Sequence, residues 1–181
     1  MKNIEEKIFN SFYSISFTST IEVKLRSFQH KILQRILPTK KFLKLCNIAN
    51  NNNCSYCHKE VGTIEHLFWR CHCVKIFWNQ IASTLLPYID LNYAINERCI
   101  LLGVTNGANK FLINHIILIC KRYIYINKFV SGKLTISAVL NIIREKYEIE
   151  KNIIIRRAVG NIKLENKWDP LKILFDANVN V

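Results

Sequence analysis

The stretch CSYCHKEVGTIEHLFWRCHCVKIFW, residues 54–78, contains four of the seven cysteines and three of the five histidines of this 181-residue chain. Four of these side chains follow the spacing Cys54-x2-Cys57-x8-His66-x4-Cys71. Thiolates and imidazoles at such intervals are the ligands that tetrahedral Zn²⁺ prefers, and a Cys-x2-Cys turn presents two sulfurs to one ion. The spacing therefore predicts one zinc site with these four ligands.

The predicted site is structural rather than catalytic. Three thiolates and one imidazole complete the tetrahedron and leave no open position for a reacting water. Five positions of an ideal helix would rotate His66 and Cys71 about 140° apart, so we expect His66 at a helix start or a distorted turn between the two. His58, His72 and Cys73 remain alternative ligands.

The Cys54-x-x-Cys57 pair also has the spacing of thiol oxidoreductases, in which this motif lowers the pKa of a thiolate. Such a motif is expected after a strand and at a helix N-terminus within a βαβ unit. Here it follows residues 47–53, which include five asparagines and are typical of a loop. A metal site is the preferred interpretation, and a redox role is the alternative.

The composition describes a globular and strongly basic protein. Half of the residues are hydrophobic and 22% are charged, which is typical of a folded domain rather than a disordered chain. Lys and Arg number 26 against 13 Asp and Glu, so the formal net charge is +13. Such an excess favours a polyanionic partner, of which nucleic acid is the first candidate.

The sequence predicts neither secretion nor a membrane span. Glu5, Glu6 and Lys7 stand where a secretory signal would need its apolar core. The most apolar window, residues 111–130, is interrupted by charged side chains well before the ~18 residues that a span requires. We therefore expect an intracellular protein, in the nucleus or the cytoplasm, with reduced cysteines and no membrane contact.

The hydrophobic periodicity predicts a mostly α fold: a helical domain with a small CCHC zinc-knuckle hairpin inserted in the first half. Ser19-x-x-Glu22 has the form of a capping box, Pro38 and Pro87 are expected helix ends, and Ser131-Gly132 separates the last two helices. The predicted helices are 19–38, 39–46, 64–86, 109–130 and 135–165, with a short apolar piece at 98–102, and residues 3–17 are predicted as either a short apolar helix or an extended entry segment.

The same features divide the chain into three parts. Residues 1–50 form a basic helical lead-in, residues 51–86 form the CCHC zinc knuckle with its helix, and residues 87–181 form a carboxyl-terminal helical region.

Two predicted helices carry stripes that suit nucleic acid. At 100° per residue, three cations of the earlier helix fall within about 40° of one another: Lys24, Lys31 and Arg35. A stripe of similar width on the later helix combines cations with a tyrosine that can stack on a base: Lys110, Asn114, Lys121, Tyr125 and Lys128. Phosphate neutralisation and base stacking together give sequence-tolerant binding of single strands, so both stripes are candidate nucleic-acid contacts.

The cysteine-rich stretch resembles the zinc-binding domain at the carboxyl end of reverse transcriptases from LINE-type, non-LTR retrotransposons, the zf-RVT type. That family shows Cys-x2-Cys, then His-Leu-Phe, then Cys and, a few residues later, Phe-Trp. The resemblance implies zinc ligation by Cys54, Cys57, His66 and Cys71, and packing roles for Leu67, Phe68, Phe77 and Trp78. The segment KLRSFQHKILQRILPTKKFLKLCNI (24–48) and, downstream, LLG, INHIILICKRYIYINKF and WDPL are also similar to such proteins.

The resemblance implies a non-catalytic nucleic-acid-binding module that helps to hold template RNA or target DNA. The polymerases of this family bind two metal ions through clustered aspartates. This chain has three aspartates, and Tyr88-Ile89-Asp90 is followed by Leu91 rather than by a second aspartate. We therefore expect a carboxyl-terminal piece of a transposable-element protein without enzymatic activity.

Two alternatives to nucleic-acid binding remain. One is a zinc-stabilised interaction fragment that docks on the polymerase part of a reverse transcriptase through the apolar segment 111–126. The other is the thiol oxidoreductase, which requires an accessible Cys54 with a low pKa.

Overall fold

Helices account for most of the computed structural model, which describes residues 2–89, 95–129, 133–157 and 166–176. In chain order they are α1 (Lys2–Ser19), α2 (Val23–Leu33), α3 (Lys40–Leu45), a π-helical turn (His66–Arg70), α4 (His72–Ile89), α5 (Glu97–Leu102), α6 (Lys110–Asn127), α7 (Ile136–Arg157) and α8 (Asp169–Asp176). A short hairpin with an isolated antiparallel bridge between Asn53 and Val61 lies before the π-helical turn. The predicted mostly α fold with a hairpin in the first half is confirmed.

Helix α6 forms the centre of the fold. Every residue from Leu112 to Lys121 is buried, and the helix packs against α1, α2, α7 and the π-helical turn. A helix that is apolar on most sides is stable only when it is surrounded, which explains this position. The predicted docking surface at 111–126 is therefore wrong, because that segment is occupied by the protein's own core. None of the helices built from the described residues is long and apolar enough to cross a bilayer.

The capping box predicted at Ser19 is wrong. Ser19 is the last residue of α1, and its hydroxyl donates to a carbonyl of the preceding turn instead of capping the next helix. Helix α2 starts at Val23 after Glu22, whose side chain makes no capping hydrogen bond. It also ends at Leu33, before the predicted stop, because Arg35 adopts a left-handed conformation with φ of 58°. The capping pattern Ser19-x-x-Glu22 therefore did not start a helix, because α1 continues as far as Ser19.

Two other helix ends differ only slightly from expectation. Thr39, the first residue of the predicted helix 39–46, lies just before α3 and caps it by accepting a hydrogen bond from the Phe42 amide. Pro87 lies inside α4 rather than after it. Since the helix ends two residues later at Ile89, the missing proline N–H removes a hydrogen bond only in the last turn.

The carboxyl-terminal part contains a helix that the periodicity did not indicate. Helix α7 begins at Ile136, close to the predicted start, while the predicted Ser131-Gly132 break and residues 158–165 lie outside the described residues. Helix α8 packs against α4, with Trp168, Leu171 and Phe175 buried. The Asp-Pro pair at its start is the signal that could have found it, because both residues favour a first helical turn.

Candidate metal centre

The hairpin that carries the first two cysteines is held by backbone hydrogen bonds. The Cys54 amide donates to the Glu60 carbonyl at 2.7 Å, and the His58 amide donates to the Cys54 carbonyl at 3.0 Å. His58 adopts a left-handed conformation with φ of 56°, which closes the turn after Cys57. These contacts place Cys54 and Cys57 on one face of a tight turn, and we call the hairpin with the following π-helical turn the zinc knuckle.

A π-helical turn delivers the other two ligands. The Thr63 hydroxyl accepts from the His66 amide at 3.1 Å and so begins the turn. The Cys71 amide then donates to the His66 carbonyl at 2.9 Å, a bond across five residues. This wider turn brings His66 and Cys71 to the same side, where an ideal α-helix would separate them. The expected distortion between these two ligands is confirmed, and the single helix predicted over 64–86 is interrupted at Cys71.

The four predicted ligands converge on one point. Their ligand atoms all lie within 4.8 Å of one another. The sulfurs of Cys54 and Cys71 are 3.9 Å apart, and Cys57 Sγ lies 3.3 Å from His66 Nε2. Bond lengths of about 2.3 Å to sulfur and about 2.0 Å to nitrogen give tetrahedral edges of roughly 3.5–3.8 Å. The donor set and its spacing therefore fit one structural Zn²⁺, and Cys54, Cys57, His66 and Cys71 would hold it.

The alternative ligands stand apart from this cluster. His58 is exposed and is not among the converging side chains. His72 and Cys73 form a second group with Cys71, which is the one residue common to both groups. Within the described residues, neither His58, His72 nor Cys73 replaces a member of the first cluster.

Burial and electrostatics of the cluster suit a metal better than a redox pair. Cys54 and Cys71 are fully buried, so an oxidant or a substrate thiol cannot reach Cys54. A hydrogen bond from the Cys71 thiol lowers the pKa of Cys54, and the same hydrogen bond, with burial, raises the pKa of Cys71. The two sulfurs thus share a proton that a divalent cation would displace. The redox alternative lacks the accessible thiolate that it requires.

Glu60 is a functional residue that the spacing argument missed. One of its carboxylate oxygens lies 3.3 Å from His66 Nδ1, while His66 Nε2 faces the cysteine sulfurs. A carboxylate at Nδ1 favours the tautomer with its proton there and leaves the Nε2 lone pair free for a metal. An acidic residue between the Cys pair and the His is the signal that could have indicated this role.

The zinc knuckle is attached to the core through aromatic side chains. The Tyr56 hydroxyl, between the first two cysteines, donates to the Ile124 carbonyl of α6 at 2.6 Å, and burial raises the pKa of Tyr56. Trp78 Nε1 donates to the Phe68 carbonyl at 2.8 Å. The packing residues implied by the resemblance are all buried, as expected: Leu67, Phe68, Phe77 and Trp78.

The predicted nucleic-acid residues divide into exposed and buried sets. Lys24 and Lys31 are exposed on α2, and Arg35, two residues after its end, is also exposed and pairs with the Glu65 carboxylate at 2.5 Å. Lys121 is buried, and its amine donates to Gln29 Oε1 at 2.5 Å. Burial lowers the pKa of Lys121 to about 7. The surface role predicted for Lys121 is therefore wrong, since phosphate cannot reach it in this fold.

The other residues of the stripe on α6 are also partly or fully buried, and most of them form hydrogen bonds with other segments of the chain. Asn114 is buried and makes two hydrogen bonds with the Val104 backbone. Tyr125 and Lys128 are half-buried and both donate to the Pro38 carbonyl, while Lys110 remains half-exposed at the start of α6. Burial, and then the nearby Lys40, lower the pKa of Lys128 to about 7. The stripe expected to face nucleic acid thus mainly joins α6 to its neighbours.

The helical fold and the buried Cys₃His cluster define a domain organised around one structural zinc ion. Residues 2–78 match the family model described as zinc-binding in reverse transcriptase, so this part of the chain is similar to a reverse transcriptase zinc-binding domain. The match runs from α1 to Trp78 and includes all four predicted zinc ligands. It confirms the resemblance to the zinc-binding domain of reverse transcriptases. No curated protein and no solved structure matches the chain.

Proposed function

We propose that this protein is a non-catalytic, zinc-ordered module that binds nucleic acid, as part of a LINE-type, non-LTR retrotransposon reverse transcriptase. In this role it helps to hold template RNA or target DNA. The observation that carries the proposal is the family match over a zinc knuckle that is bordered by exposed cations. The matched domain is the zinc-binding accessory part of reverse transcriptases and not their catalytic part, which favours binding over catalysis.

Exposed cations lie on the zinc knuckle, on α2 and the residues after it, and on α3, and we call them the basic surface: Lys24, Lys31, Arg35, Lys41, Lys44 and Lys59. Two contacts bring the helices that carry them against the knuckle. Arg35, after α2, pairs with Glu65, and the Lys41 amide of α3 donates to the Gly62 carbonyl at 3.2 Å. The zinc ion would thus order the loop on which both helix ends rest, and this fixes the cations relative to one another.

The close fit at Gly62 shows how tightly α3 is held. A side-chain carbon added at Gly62 would lie 3.0 Å from Lys40 Cβ and 3.3 Å from Cys54 Cα. Only glycine allows the helix to approach the knuckle this closely. The lysines of α3 are therefore positioned by the same hairpin that presents the first two zinc ligands.

Salt dependence of binding tests the proposal. Zinc-loaded protein is titrated into fluorescein-labelled single-stranded RNA, single-stranded DNA and duplex DNA, and anisotropy is measured across a range of salt concentrations. For single strands each phosphate contact contributes about −0.7 to the slope of log K against log salt. The double variant Lys41→Glu/Lys44→Glu should therefore weaken binding and flatten this slope by about 1.4.

The matched control is Lys151→Glu, which changes an exposed lysine of α7. It alters the net charge in the same direction and should leave most of the affinity and the slope intact. A flat salt dependence in the wild type, or equal losses in the α3 and α7 variants, would contradict binding through the basic surface.

A second candidate function is protein interaction at the same end of the molecule. Leu45 and Ile48, just before the knuckle, are 73% and 72% exposed, and Val61 of the hairpin is also exposed. Apolar side chains gathered near one another at a surface are typical of an interface. The polymerase part of a reverse transcriptase is the candidate partner. Loss of its binding in Leu45→Ser/Ile48→Ser, with unchanged nucleic-acid affinity, would favour this second function.

A further inference from the structure

A second group of metal-ligating atoms lies beside the first. The ligand atoms of Cys71, His72 and Cys73 are all within 4.8 Å of one another. His72 Nε2 and Cys73 Sγ are 3.3 Å apart, the same separation as between Cys57 Sγ and His66 Nε2 in the zinc knuckle. Cys71 belongs to both groups, so its sulfur is within reach of two sets of soft donors.

We propose that this group binds a second Zn²⁺ ion, held by His72 Nε2, Cys73 Sγ and the Cys71 thiolate. A metal-bound thiolate keeps lone pairs that can coordinate a second ion, so Cys71 would bridge the two metals. The second site is assigned by neither the family match nor the function proposed above, and it depends on neither nucleic-acid nor protein binding.

The charges favour a second ion once the first is present. Three thiolates and a neutral imidazole around one Zn²⁺ leave a net charge of minus one, which attracts a second cation to the neighbouring His72 and Cys73 donors. A second Zn²⁺ bound with the Cys73 thiolate adds one positive charge, so the pair of sites becomes neutral. The thiol proton of Cys73 passes to solvent on binding.

The second site is open where the first is closed. A cavity of about 460 Å³ is lined by His72, Cys73 and Tyr56, among others, and His72 is exposed. Three protein ligands also leave one coordination position for water, whereas the zinc knuckle supplies all four. The second ion should therefore bind more weakly and exchange with solvent, while the first stays in place.

Native mass spectrometry of the full chain with increasing Zn²⁺ tests the proposal. The wild type should bind one zinc at equimolar metal and two in excess, whereas Cys73→Ser and His72→Ala should stop at one. Retention of that first zinc shows that the variants are folded. Cys46→Ser, which changes an exposed cysteine outside both groups, is the matched control and should still bind two.

A wild type that stops at one zinc in excess metal would overturn the proposal, and so would a second zinc that persists in Cys73→Ser. Failure of the knuckle itself is distinguishable, because no zinc would then bind at equimolar metal. Substitution with ¹¹³Cd tests the shared ligand. Two resonances that split each other through the Cys71 sulfur are expected, and two without mutual coupling would contradict the bridge.

Discussion

The zinc knuckle and a buried charged cluster near the carboxyl end hold the protein together in different ways. The knuckle ligands come from one short stretch and converge on a metal. The second region, which we call the polar core network, consists of the Ser19 carbonyl, His115, Glu150, Lys167 and Trp168. Its members come from distant parts of the chain and form hydrogen bonds with one another. Local spacing therefore suffices to detect the first region and cannot reveal the second.

The polar core network pairs its charged groups, but two of its buried atoms, His115 Nε2 and Glu150 Oε1, have no hydrogen-bond partner. The Lys167 amine donates to a Glu150 oxygen, to the Ser19 carbonyl at 3.1 Å and to His115 Nδ1 at 3.1 Å. Trp168 Nε1 donates to the same Glu150 oxygen at 2.8 Å. Burial, and then the charge of Lys167, hold the pKa of His115 well below its usual value, so its imidazole is neutral. The network thus joins α1, α6 and α7 to the segment before α8.

Cys57→Ser tests the zinc knuckle, whose ligands are close together in the sequence, and should have the largest effect. Serine removes a soft thiolate ligand, so the variant should lose zinc and much of its helical signal, with a loss of several kcal/mol of unfolding free energy. Native mass spectrometry and far-ultraviolet circular dichroism measure both changes, with Cys46→Ser as control. A zinc-free variant with an unchanged spectrum would show that the remaining core holds the fold without the knuckle.

Glu150→Ala tests the polar core network, whose members are far apart in the sequence. Removal of the carboxylate leaves the Lys167 amine buried without its counter-ion, which should lower the free energy of unfolding by about 3–5 kcal/mol. Denaturant unfolding of zinc-saturated protein measures this loss. The stoichiometry of one zinc at equimolar metal should not change. Glu150→Leu/Lys167→Met, which removes both charges, should lose less. Equal losses in the single and double variants would show that the ion pair is not what Glu150 contributes.

Lys121→Met tests a buried lysine whose amine is paired with the neutral Gln29 amide, whereas the Lys167 amine is paired with the Glu150 carboxylate. In the wild type the pKa of Lys121 is about 7 when folded and about 10.5 when unfolded, so between these values the unfolded chain binds more protons. This residue therefore makes stability rise from pH 7 to pH 10.5. The variant should be more stable at pH 7 by about 1–2 kcal/mol and should lack this part of the rise. Thermal unfolding at several pH values measures both, and identical pH profiles would contradict the prediction.

Glu60→Ala should have the smallest effect and sharpens the description of the knuckle. Loss of the carboxylate at His66 Nδ1 removes the contact that orients the ring, so zinc affinity should fall by about tenfold. Loss of a residue that orients a metal ligand usually lowers metal affinity by about 10–100-fold. We expect the smaller loss here because the Glu60 side chain is 69% exposed. Competition with a chromophoric chelator measures the affinity. Lys59→Ala, its exposed neighbour, should leave zinc affinity unchanged, and equal effects would argue against an orienting role.

Most of the candidate site could be predicted from the sequence because its determinants are local. Ligand types and intervals indicated Cys54, Cys57, His66 and Cys71, and the four-residue gap indicated a distorted turn. Glu60 was not indicated, since its role depends on how the hairpin folds back on His66. The division at residues 50 and 86, and the assignment of the exposed cations to nucleic acid, stay predictions.

The sequence predicted the mostly α class of the fold, but it did not predict how the helices pack or which polar residues are buried. Helix α6 is apolar on most sides, so periodicity could not show which face lies inward, and its polar residues Asn114 and Lys121 were assigned to the surface. In the structure both find buried partners on other segments. The sequence by itself determined the mostly helical class, the basic charge and the metal ligands, because these follow from composition and neighbouring residues. Only the tertiary structure decided which polar groups are buried and paired, because those partners lie far apart along the chain.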